Sequence, residues 1–180
     1  MHKSTDKRAV LQWILLGLTL LLIFTQSAMP PHLSSSESGF VVRILYPLLG
    51  QLLPPGADLE HFVRKAGHFT EYLILGIQVY PLWATVGKGQ SVKQAESRES
   101  SFSLLKSLNQ SKAILFVFST IFLWLTAFLD ETIQIFSGRG PQIQDVWLDL
   151  AGGLVGYLIG LGILSLYQKK KVQKQKETGI

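Results

Sequence analysis

The side chains able to do chemistry fall into three short clusters. The first holds His61, Lys65, His68 and Tyr72, spaced four, three and four apart, with Glu71 three beyond His68. A helix returns to the same face about every 3.6 residues, so one helix would present these groups together. The second cluster is Asp130, Glu131 and Gln134, gathered in little more than one turn. The third is Asp145 and Asp149, four apart and therefore on one helical face. Between the last two lie Ser137, Gly138, Arg139, Gly140 and Pro141, a turn suited to aiming a guanidinium. Glu71, Asp130, Glu131, Asp145 and Asp149 outnumber Lys65 and Arg139, and unpaired carboxylates so close either have raised pKa values or bind a cation, a divalent one included. They can also receive the hydroxyls of a sugar or peptide headgroup, with Lys65 and Arg139 on its phosphates. A plainer reading joins the same groups between helices, Glu71 with Lys65 or Arg139 and Asp149 with His68.

Catalysis has thinner support. His68-x-x-Glu71 lacks a second closely spaced histidine pair, and neither a His-Glu-x-x-His run nor a nucleophile elbow is present. No catalytic residue is assigned, no cofactor follows and the identity of any metal stays open. Acid–base work on a lipid headgroup by a carboxylate and His68 is the enzymatic alternative. A small oligomeric transporter is a third reading.

The elements that must carry these clusters follow from composition. The 180 residues suit one domain, with 47% hydrophobic and only 16% charged side chains. Mean hydropathy is +0.28. That is more apolar surface than a soluble domain of this length can enclose, so an all-α membrane protein is expected. Without cysteine, disulfides, thiolate catalysis and Cys-ligated zinc are excluded. Four stretches approach the roughly 20 helical residues that cross a bilayer core: about 10–29, 66–86, 113–134 and 146–167, predicting a four-helix bundle. His2, Lys3, Lys7 and Arg8 resemble the start of a signal peptide, but the following apolar run is too long and no Ala-x-Ala site ends it. Pro81 is expected to kink the second helix or end its regular hydrogen bonding. The third is expected to continue through Glu131 and Gln134.

Thirteen of the 17 lysines and arginines fall in the N-terminus, the second loop and the C-terminal tail. Arg43, Arg64, Lys65 and Arg139 make up the opposite side, so both termini are expected to face the cytoplasm. The net charge of +5 is thus a topology signal and not a nucleic-acid footprint. Pro30-Pro31 and Ser34 to Ser38 read as irregular, and Phe40 to Leu53 as an interfacial or re-entrant segment, followed by a Pro54-Pro55-Gly56 turn. Residues 87–110 read as a flexible cytoplasmic loop, in which Asn109-Gln110-Ser111 matches a glycosylation acceptor without consequence on that side. Residues 168–180 read as a basic tail. Gly152, Gly156 and Gly160 form a small-x-x-x-small track, and Gly153 aligns with Asp149. Such glycines let a second helix approach closely in lipid, holding Asp149 against protein, and a homo-oligomer through this face is compatible with them.

Lys65-Ala-Gly-His68-Phe-Thr-Glu-Tyr72 resembles the second-helix signature of VanZ-like membrane proteins. Asp130-Glu131-Thr-Ile-Gln134-Ile-Phe136, Arg139 and Gln144-Asp145-Val-Trp-Leu-Asp149-Leu-Ala-Gly152-Gly153 resemble that family's longest motif, and Phe24-Thr25-Gln26-Ser27 its opening. The resemblance runs from the first helix to about Gly160. It implies a small polytopic bacterial membrane protein of the cell envelope, related to a founding member that reduces susceptibility to teicoplanin with little effect on vancomycin. Teicoplanin acts outside the membrane on the peptide stem of wall precursors. The expected partners are therefore a membrane lipid, a lipid-linked cell-wall precursor or the glycopeptide itself, bound at the outer ends of helices two to four.

Overall fold

The computed structural model describes residues 2–49, 58–94, 101–140 and 142–177. The described residues form five helices: α1 (His2–Ser27), α2 (Pro31–Leu49), α3 (Leu59–Gln94), α4 (Ser101–Phe136) and α5 (Ile143–Glu177). No strand occurs among them. Among the described residues, three helices contain a segment long and apolar enough to cross a membrane: Ala9–Ser27 in α1, Ala113–Phe136 in α4 and Ile143–Gln175 in α5. The fourth expected span, 66–86 in α3, is not among these. His68, Glu71 and Gln78 dilute its hydropathy, and its position supplies the physical reason. α3 packs against each of the other four helices and makes its largest contact with α5. A helix sheltered by protein can carry groups that lipid would reject. Gln78, for example, donates to the Thr19 hydroxyl of α1 at 2.9 Å.

Several boundaries differ from the sequence expectation because apolarity marks a span, whereas the helix is the hydrogen-bonded backbone. Pro81 lies inside α3, which continues to Gln94 instead of ending. Of the expected loop 87–110, the parts 87–94 and 101–110 are helical, and 95–100 lies outside the described residues. Their Lys, Gln and Leu are good helix formers. Helix α5 likewise runs through most of the expected tail to Glu177.

The serine-rich stretch is a correction. Ser34 to Ser38 is not irregular but belongs to α2, which opens at Pro31, a position where a missing N–H costs nothing. Ser34 and Ser38 are buried one turn apart, with the Ser38 hydroxyl donating to the Ser34 carbonyl at 3.0 Å. Small side chains on one face let α2 settle against α3. Phe40, Ile44 and Tyr46 are exposed elsewhere on it. The expected Pro54-Pro55-Gly56 turn lies outside the described residues.

The glycines of α5 mesh with α3 in a parallel, four-residue register: Gly152 against Phe69, Gly156 against Leu73 and Gly160 against Ile77. A Cβ at Gly156 would fall on the Leu73 carbonyl, and one at Gly76 of α3 on the Gly153 carbonyl. Gly153 itself faces Leu123 of α4. The two backbones thus touch directly, and Ile23, Tyr72, Leu75, Val79, Leu123 and Ala127 complete the core around them.

Candidate functional site

The register brings the beginnings of α3 and α5 to the same end of the bundle as the ends of α1 and α4. Each terminus there is locally secured. Asp58 caps α3, its carboxylate accepting from the His61 N–H at 3.0 Å. α4 closes in a Schellman arrangement: Arg139 N–H donates to Gln134 O at 3.0 Å and Gly138 N–H to Ile135 O at 3.3 Å. Gly138 has φ 77°, the left-handed conformation such a cap requires. Arg139 is thereby folded back over the helix end, where its guanidinium donates to the Gln26 carbonyl of α1 at 3.0 Å. Ser137 donates to the neighbouring Ser27 carbonyl at 2.9 Å.

Two polar cavities open at this end. One, of about 310 Å³, is lined by His61, Arg64, Lys65, His68, Gln134, Arg139, Gln142 and Asp145 among others. The second, of about 220 Å³, is lined by Gln26, Ser34, Glu37, Ser38, Arg64, His68, Glu71 and Arg139. Arg64, His68 and Arg139 belong to both and form the wall between them. Among the described residues neither guanidinium has an ion pair with a carboxylate. Burial, followed by the Arg64 charge, holds the Arg139 pKa below its ordinary value, against the pull of Asp130, Glu131 and Glu71. An arginine so placed remains a cation, and its charge is only partly compensated.

The expected pairings change partners. Lys65 pairs with Asp145 and not with Glu71, because Glu71 sits almost two turns farther along α3 while α5 begins beside Lys65. His68 Nδ1 stands 3.6 Å from Asp130 Oδ2, so Asp130 and not Asp149 is its ion-pair contact. Glu131 joins α4 to α5. One oxygen accepts the Gln142 N–H at 3.0 Å and the other the Gln134 amide at 3.2 Å. Beneath the cavities lie Tyr72, Asp130 and Asp149, all fully buried. Asp130 accepts hydrogen bonds from the Ser27 hydroxyl and, at 3.4 Å, from the Gln134 amide. Among the described residues, both oxygens of Asp149, the Tyr72 hydroxyl and His68 Nδ1 have no hydrogen-bond partner.

All ten expected site residues therefore converge on one end of the bundle, in two layers. Lys65, His68, Glu71, Gln134, Arg139 and Asp145 line the cavities, whereas Tyr72, Asp130, Glu131 and Asp149 are buried. Arg64 escaped the sequence reading, although its four-residue spacing to His68 would have revealed it. Gln26 and Ser27 stand in the sequence only as part of the family's opening motif and not among the expected site residues, since they look like the ordinary polar end of an apolar helix.

Replacing Lys65 by methionine tests how much the rim pair matters. Its side chains are 26% and 20% exposed, so solvent screens the attraction. The expected loss is below about 1 kcal/mol, read as a small shift in thermal unfolding of the detergent-purified protein.

A family model described as VanZ/LLP1 matches residues 12–165, which include all ten of these residues and the glycine seam. No curated protein and no solved structure matches the chain.

Proposed function

The chain belongs to the VanZ/LLP1 family, and on that premise we propose that it is an envelope membrane protein that binds anionic headgroups. The polar end of the bundle faces outward in this reading, as the distribution of lysine and arginine favours, with α2 at the outer surface and both termini in the cytoplasm. The ligand is an envelope lipid or a lipid-linked wall precursor, whose occupation lowers the access of teicoplanin to its target.

One observation carries the reading: Arg64 and Arg139 line both cavities with no carboxylate ion pair among the described residues. Two neighbouring guanidiniums repel one another unless an anion lies between them, and their planar forks suit phosphate oxygens. An apolar groove of about 360 Å³, lined by Trp124, Phe128, Ile135, Ile143, Val146 and Trp147, adds support. It shares Gln142 with the larger polar cavity, so a headgroup and its acyl chain can be held side by side.

The test compares wild type with the Arg64→Gln and Arg139→Gln double variant at matched membrane levels. Each lost charge-assisted contact is worth about 1.5–3 kcal/mol, so retention of phosphate-bearing lipids in native mass spectra should fall at least about tenfold. In a susceptible Gram-positive host, wild type should raise the inhibitory concentration of teicoplanin, with little change for vancomycin, and the variant should match an empty vector. Undiminished lipid retention by the variant rules out the arginine wall as the headgroup site. If wild type and vector give the same teicoplanin value, the resistance role is discarded.

A further inference from the structure

We propose that His68, Asp130 and Asp149 form a binding site for one divalent cation of the Zn²⁺ or Mn²⁺ class. One ligand atom from each of the three lies within 4.8 Å of the others, although α3, α4 and α5 supply one residue apiece. The separation of 3.6 Å between His68 Nδ1 and Asp130 Oδ2 is close to the roughly 3.4 Å between two ligands of a tetrahedral ion with bonds of about 2.1 Å.

Asp149 is the residue most in need of a cation. Its side chain has no exposed surface, and both its oxygens lack a hydrogen-bond partner among the described residues. A buried carboxyl group with nothing to accept from is costly, and the cost is severe if it is ionised beside Asp130. A dication supplies what is missing. Two carboxylates and a neutral imidazole around it leave the cluster without net charge, as a low-dielectric interior requires. It also explains His68 Nδ1, which has a carboxylate in front of it but no hydrogen bond.

Supporting contacts for the ligands are already present. Ser27 and Gln134 donate to Asp130 and hold its carboxylate in place. Tyr72, one helical turn beyond His68, brings an unpartnered buried hydroxyl whose charged neighbours include Asp130 and Asp149. Entry is through His68, which lines both cavities. The donor set decides the ion. An imidazole nitrogen with two carboxylates suits Zn²⁺ or Mn²⁺, whereas Mg²⁺ and Ca²⁺ prefer shells made entirely of oxygen. The inference is independent of headgroup binding, because the metal is measured without lipid.

The experiment uses the full chain in detergent, stripped with a chelator and titrated calorimetrically with Zn²⁺, Mn²⁺ and Mg²⁺ salts. One Zn²⁺ or Mn²⁺ should bind per chain, with Mg²⁺ at least about 100-fold weaker. His68→Gln and Asp149→Asn should each weaken binding by at least about tenfold. Glu60→Gln, a carboxylate outside the cluster, should leave it unchanged. Zinc X-ray absorption should show one imidazole nitrogen and oxygen ligands at about 2.0–2.2 Å. That spectrum, taken on wild type, stands even if a variant does not fold. Absence of Zn²⁺ and Mn²⁺ binding up to millimolar concentrations, equal affinity in folded variants and wild type, equally tight Mg²⁺, or a zinc shell without imidazole each overturns the site.

Discussion

Gly156→Val should prevent most of the protein from reaching a monodisperse folded state. A Cβ at position 156 would fall on the Leu73 carbonyl oxygen and stand 3.0 Å from the Ile77 nitrogen. Both are main-chain atoms inside α3, so neither can swing aside as a side chain would. The helices must separate, and with them the interface that forms the largest contact in the bundle. Overpacking a well-filled core ordinarily costs about 1–3 kcal/mol. Here the closest neighbours are backbone, and opening the seam also disturbs Gly152 and Gly160, so the expected cost lies at or above the top of that range. Size-exclusion chromatography and circular dichroism after detergent extraction give the readout. Gly162→Val is the control, because nothing lies within 4 Å of a Cβ there. Normal yield and thermal stability from Gly156→Val would disprove the parallel packing of α3 on α5.

The second large effect is a reversal of sign at Asp149. In excess chelator, Asp149→Asn should unfold at a higher temperature than wild type. The carboxyl has no donor to meet it, whereas an amide brings two N–H groups into a pocket that already contains the Asp130 carboxylate. Relief of an unsatisfied buried polar group is worth about 1–3 kcal/mol. For a chain of this size that corresponds to a rise of roughly 2–12 °C. With excess Zn²⁺ the order should invert, since a ligand stabilises only the folded state that binds it, by about 2.7 kcal/mol at 100 times its dissociation constant. A melting series with chelator and with zinc shows both halves. Were Asp149→Asn less stable than wild type in chelator, the carboxyl would have a partner that the structure does not show.

Much of this organisation is legible in the residues alone. The spans of α1, α4 and α5 follow from apolar length, because transfer into lipid is a property of each segment taken separately. The shared face of His61, Lys65 and His68 follows from helical spacing, and those three do line one cavity. The glycine track of α5 announces a close helix contact. Its partner was not legible: small residues say that something approaches, and only the register of Phe69, Leu73 and Ile77 says what. The serine-rich start of α2 departs from the irregular stretch expected there, because serines weaken an isolated helix, and their value as small buried contacts depends on a neighbour that local sequence does not contain.

The same division runs through the site. Period and composition are local quantities, and they sufficed to collect the polar groups at one end of the bundle and to match the family motif. The pairings are not local. Lys65 meets Asp145 across 80 positions, Ser27 meets Asp130 across 103, and Arg139 reaches Gln26 across 113. Each depends on how far one helix is rotated and slid against the next, which the glycine seam sets by contact between backbones. The free energy of a buried charge depends on such neighbours, so the isolation of Asp149, and of two arginines without a carboxylate partner among the described residues, emerges only when the helices are assembled.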